Sequence, residues 1–93
     1  MSNKTDNTEY VNIGSDIEFP IELIPCEYTR LSLAAHDIKK ISDICVHKSD
    51  IPILRSAIAD YIQAAGLYGE IYISETDDEG NPQDLLEIYH IQN

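Results

Sequence analysis

The chain has 93 residues, 43% of them hydrophobic, and carries 17 acidic against 6 basic side chains for a net charge of −11. A length of this order supports one hydrophobic core and excludes two. The charge argues against direct binding to nucleic acid or to an anionic membrane, both of which select basic surfaces.

The first ten residues, MSNKTDNTEY, are polar and read as a disordered tail, with a single domain over residues 11–93. This start lacks the apolar core of a secretory leader, and no later run approaches the ~20 apolar residues of a membrane span. A cytoplasmic protein is expected, in the host cytoplasm if phage-encoded. In SDIEFPIELIP, Ile17, Phe19, Ile21 and Leu23 alternate with Asp16, Glu18, Pro20 and Glu22, the period-2 pattern of a strand with one buried face. Pro20 donates no ladder hydrogen bond, which predicts a sheet edge or a bulge. YTRLSL, residues 28–33, reads as a second strand with Leu31 and Leu33 inward.

Ala34, Ile38, Ile41 and Cys45 then fall at helical spacing, with Lys39, Lys40 and Asp43 on the wet side, and predict a helix over residues 34–47. A second helix follows, capped by Ser49 or Asp50, with Pro52 in its first turn. Its apolar stripe is Ile51, Leu54, Ile58, Ile62 and Ala65, and Gly66 ends it. LYGEIYISE and LLEIYHI both alternate around the turn-forming TDDEGNPQD, which predicts a hairpin. Fifteen isoleucines suit a pleated, half-buried surface. The expected fold is α+β: a single small domain in β-β-α-α-β-β order, its antiparallel sheet carrying two helices packed on one face.

Motifs of chemistry are weak throughout. Aligned on Gly80, the acidic loop places Glu75, Asp77 and Glu79 at the first, third and fifth positions of a calcium loop. Leu86 then stands where the bidentate glutamate belongs, and the flanks read as strands where helices are required. Cys26, His36, Cys45 and His47 lack zinc-finger spacing, and Cys45 falls on the expected apolar stripe. There is no phosphate-binding loop and no nucleophile elbow. No catalytic residue, metal or cofactor is therefore expected, and the two cysteines read as small, buried free thiols. Helix, helix, hairpin is also the closing order of a winged helix-turn-helix. Its recognition helix would carry only Arg55 against Asp60, and its wing four acids, which would repel DNA.

The surface chemistry says more. Residues 56–93 hold eight acids and no lysine or arginine. With Ile71, Ile73, Leu86 and Ile88 turned inward, the other face of the hairpin would present Tyr68, Glu70, Tyr72, Glu87 and Tyr89. Tyrosines interleaved with glutamates suit a basic protein partner. Glu75, Asp77, Asp78 and Glu79 would extend that surface, and Asp16, Glu18 and Glu22 would add a second acidic row. If the sheet grouped these rows, their charge density would approach that of a DNA strand.

In size, charge and lack of an enzymatic motif, the chain resembles in type the counter-defence proteins of phages and mobile elements, such as anti-CRISPR and anti-restriction inhibitors. The resemblance rests on size and charge, and no residue is carried over from it. The expected function is a small acidic, non-enzymatic protein-binding inhibitor. It would occupy a basic surface of a target, such as a nucleic-acid-processing complex or a nuclease, by DNA mimicry. Alternatives are an immunity protein or antitoxin neutralising a basic nuclease toxin, and a winged-helix-like regulatory or metal-binding domain. A homodimer seam is the other use for a tyrosine-rich sheet face.

Overall fold

The computed structural model describes residues 9–92. The elements run β1 (Tyr10–Pro20), α1 (Glu27–Ala35), β2 (Lys40–His47), α2 (Ile51–Ala64), β3 (Gly69–Thr76) and β4 (Pro82–Ile91), with 3-10 turns at Ile21–Leu23 and Lys48–Asp50. The four strands form one antiparallel sheet in the order β2-β1-β3-β4. The α+β class is as expected; the element order is β-α-β-α-β-β in place of β-β-α-α-β-β. Because β2 separates α1 from α2 in the chain, the helix-turn-helix of a winged-helix domain is not formed. Of the tail expected over residues 1–10, residues 1–8 lie outside the described residues, and Tyr10 already belongs to β1, opposite His47. Among the described residues, no helix is long and apolar enough to cross a membrane.

β1 is the central strand. Ile13 is fully buried between Ile44 of β2 and Ile73 of β3, and Val11 faces Val46 one pair further along. α2 crosses this face and drives Leu54, Ile58 and Ile62 into the same core, while Leu33 of α1 packs at its margin. Between Gly14 and Phe19 the pairing slips, with five steps along β1 set against two along β2, from Asp43 to Ile41. Gly14 allows the close approach this requires. A Cβ there would lie 2.0 Å from the Ser42 carbonyl oxygen. Pro20 thus ends a bulged central strand, and the edge placement is excluded.

The slip explains the misread second quarter of the chain. Opposite the β1 bulge, β2 buries Ile41, Ile44 and Val46, spaced three then two apart, and the first interval imitates helical periodicity. The lysines expected on a wet helix face stand instead at the start of β2, where Lys40 pairs with Glu18 at 3.0 Å and Lys39 with Asp37 at 3.7 Å. Residues 28–33 are helical because Pro25 and Glu27 open a first turn and Leu33, Ala34 and Ala35 are strong helix formers. Leu31 stays exposed. Leu23 is exposed as well, and Ile24 is buried in its place, because Ile21–Leu23 winds into a turn after Pro20.

α2 matches its expectation closely, apart from its cap and its last apolar residue. Asp50 occupies the N-cap without a side-chain bond, and Ala65 is exposed at the C-cap. At its end Leu67 N–H bonds to Ile62 O and Gly66 N–H to Gln63 O, with Gly66 at φ 72°, a Schellman motif. α1 ends in the same motif, Ile38 N–H on Leu33 O and Asp37 N–H on Ala34 O, but the left-handed position holds Asp37 at φ 61°. Two stability changes are expected. Replacing Asp37 by glycine removes the left-handed strain and should stabilise the protein by about 1 kcal/mol. Gly14→Ala should cost roughly 3 kcal/mol, since backbone must move to admit the methyl. Both are read from denaturant midpoints at unchanged m-value.

Candidate functional site

The hairpin register decides which side chains share a surface. Ile71 faces Tyr89 and Ile73 faces Glu87, so Tyr89 and Glu87 stand on the helix side of the sheet. Tyr72 faces Ile88 and Glu70 faces His90 on the opposite, open side. The expected surface of Tyr68, Glu70, Tyr72, Glu87 and Tyr89 is therefore split between two faces, and Leu86 and Ile88 are not inward. A bulge at Leu86, between the pairs Ile73–Glu87 and Ser74–Leu85, shifts the parity of β4. The core needs Ile71 and Ile73 inside. The register then puts Tyr89 beside them, where it takes Arg55 of α2 over its ring at 4.5 Å and donates its hydroxyl to Glu87.

On the open side Glu70 is the hub. One carboxylate oxygen accepts the Tyr72 hydroxyl at 2.7 Å, and the other meets His90 Nδ1 at 2.9 Å. The bulge in β1 positions this group. Asp16 Oδ1 accepts the Glu70 N–H at 2.7 Å, and Ser15 Oγ donates to the Glu70 carbonyl at 2.8 Å. Side chains thus complete the ladder where the main-chain register has slipped. Asp16, Tyr68, Glu70 and His90, with Gly69, Ile91 and Gln92, line an open cleft of about 420 Å³ at this end of the sheet. Tyr68 is 67% exposed beside it. No lysine or arginine lines the cleft, so its chemistry favours a cation. His90, which sequence reasoning left aside, belongs here through its register opposite Glu70.

The acidic loop lies at the far end. Val11 pairs with Glu75, so the loop sits by the start of β1, whereas Glu18 and Glu22 lie toward and beyond its end. The two acidic groups are separated by on the order of 20 Å at ~3.4 Å per strand residue, and Glu18 is paired to Lys40. The expected continuous carboxylate track is not formed. Asp77 builds the turn itself: its Oδ1 accepts the N–H groups of Glu79 and Asn81 at 2.9 and 2.8 Å, and its Oδ2 accepts from Gln83. These bonds, led by those from Asn81, hold its carboxyl below the usual range. Buried Asn12 donates to Thr76 Oγ1 at 2.7 Å and to Gly80 O at 3.3 Å, which draws the loop over the open face. Between loop and cleft run Leu85 and Ile88, 51% and 41% exposed.

Both cysteines are free, as expected, but neither is fully buried. Cys45 is exposed on the open face opposite Asn12, off the apolar core. Burial, then the charge and hydrogen bond of Asp50, push the Cys26 thiol up, which lowers its nucleophilicity at neutral pH. Among the described residues no three His, Cys, Asp or Glu side chains group as metal ligands.

The Glu70 bond, reinforced by partial desolvation and by the Glu70 and Asp16 charges, pushes the Tyr72 phenol from 10.0 up to about 12. An upward shift means that its stabilising effect is complete below pH 10 and is lost as pH rises toward 12. In an alkaline absorbance titration Tyr72 should ionise at about pH 12, and Glu70→Gln should return that step toward 10. A titration unchanged by Glu70→Gln would contradict the bond. No protein-family model matches this chain, and no curated protein or solved structure does so either.

Proposed function

We propose that this chain is a small non-enzymatic inhibitor that binds a basic surface of another protein, using the β3–β4 side of its sheet. One observation carries the reading. From Ser56 to the C-terminus there are eight carboxylates and no lysine or arginine, and the open face of this region exposes Leu85 and Ile88 between two acidic ends. Apolar centre and charged rim are the anatomy of a protein interface. Rim charges of one sign add encounter rate and select against acidic partners.

The partner is a protein whose basic surface ordinarily serves nucleic acid, such as a nucleic-acid-processing complex or a nuclease. The counter-defence role of an anti-CRISPR or anti-restriction inhibitor and the role of an immunity protein or antitoxin share this physics. They differ in who owns the basic surface. Tyr68, Glu70, Tyr72 and Asp16 act at the cleft end, and Glu75, Asp77, Asp78 and Glu79 at the loop end. Glu87 and Tyr89 contribute from the inner side of β4. Glu18 and Glu22 lie toward the β2 margin and stand outside this surface, so the inhibitor needs no continuous imitation of a phosphate backbone.

The test is affinity capture from the native cell, followed by binding of the purified partner to two forms of the chain. The second form carries Glu75→Gln, Glu79→Gln and Asp84→Asn, leaving Asp77 to hold the turn. The wild type should retain a basic partner, and the triple variant should bind roughly tenfold more weakly, chiefly through slower association. Equal binding by the variant, or capture only of proteins without a basic surface, would refute the reading.

A further inference from the structure

We infer that β4 is a docking edge, to which an extended segment of the partner adds as a fifth strand, with basic side chains at alternate positions and apolar ones between. This deepens the inhibitor reading and rests on it. Among the described residues β4 pairs with β3 alone. Among the described residues no other element forms a backbone hydrogen bond to it. The opposite edge is different: α1 residues Tyr28, Thr29, Ser32 and Leu33 line a cleft together with β2. β4 is ten residues long, and every side chain from Pro82 to Ile88 is exposed. An edge of this kind is a template for strand addition.

The chemistry on β4 selects the added strand. Leu85 and Ile88 project on the open side beside Tyr72, and Glu87 on the helix side, the face on which β3 carries Glu75 opposite Val11. A paired strand therefore meets apolar contacts on one face and carboxylates on the other. The chain itself shows that the helix side accepts a cation, since Arg55 already lies over the Tyr89 ring. A second copy fits poorly. Each copy brings a net charge of −11 and no lysine or arginine in the hairpin, and Asp84, Glu87 and the Leu86 bulge are devices that keep like edges apart. A strand supplying lysine or arginine removes the repulsion.

The probe is a synthetic nonapeptide alternating lysine with valine, compared with the same peptide carrying two central prolines in place of valine. Added to the full chain, the alternating peptide should slow amide exchange at least tenfold at the outward β4 amides. The proline peptide, and the alternating peptide against Ile88→Lys, should each bind at least tenfold more weakly. Ile88→Lys substitutes an exposed side chain, and circular dichroism checks its fold. The inference is overturned by no binding, by equal binding of the proline peptide, by protection confined to the loop at residues 77–81, or by self-association of the chain through β4. If the triple carboxylate variant loses its partner while the two peptides bind alike, strand addition falls and the inhibitor reading stands. If the variant keeps its partner, the inhibitor reading falls whatever the peptides do.

Discussion

The double pairing of β1 is the constraint on which the other elements depend. A strand hydrogen-bonded on both sides and covered by α2 on one face has one register in which Val11 and Ile13 enter the core. Full burial of such a side chain is worth about 1.5–3 kcal/mol, and a one-residue slip would expose all of them together. That demand is met only as far as Gly14. Beyond it the strand bulges, and Ser15 and Asp16 turn their side chains to the main chain of Glu70. The core therefore sets the geometry of the cleft: the same irregularity that lets Phe19 and Ile41 meet carries Asp16 to the start of β3.

The electrostatic layout follows from the sheet order. β2 holds Lys40 at one edge, while β3 and β4 hold none of the chain's lysines or arginines. Charge of one sign thus collects on the half of the sheet that ends in the edge strand β4. Inside this half most polar groups are committed to one another. Glu70 joins Tyr72 and His90, Asp77 holds its own turn, and Glu87 takes the Tyr89 hydroxyl. The apolar residues of β4 have no such commitments, and their exposure gives the surface something to bury beyond charge.

Legibility differed by element for physical reasons. α2 was readable because four apolar residues at steps of three and four, a proline in the first turn and a terminal glycine all agree. The hairpin was readable from alternation on both sides of a Gly-Asn-Pro turn. α1 and β2 were exchanged because each shows the periodicity of the other. The six residues of YTRLSL alternate by chance on a helix that buries little, and β2, opposite the β1 bulge, spaces Ile41 and Ile44 as a helix would. Of the surface residues, Tyr68, Glu70, Tyr72 and Asp16 do come together. Glu87 and Tyr89 moved to the other face because one bulge at Leu86 reverses the parity of the strand.

By itself the sequence determined the class of fold, the position of α2, the existence of the hairpin and the concentration of negative charge after residue 55. These depend on composition and local periodicity, which are properties of neighbours in the chain. Only the tertiary structure decided that the acidic groups stand at two ends of the sheet, that His90 meets Glu70, and that β4 stands at the edge of the described sheet. Each of those follows from strand order and register. They are set by which residues the core must bury across distances of twenty to more than sixty positions, and no local pattern encodes them.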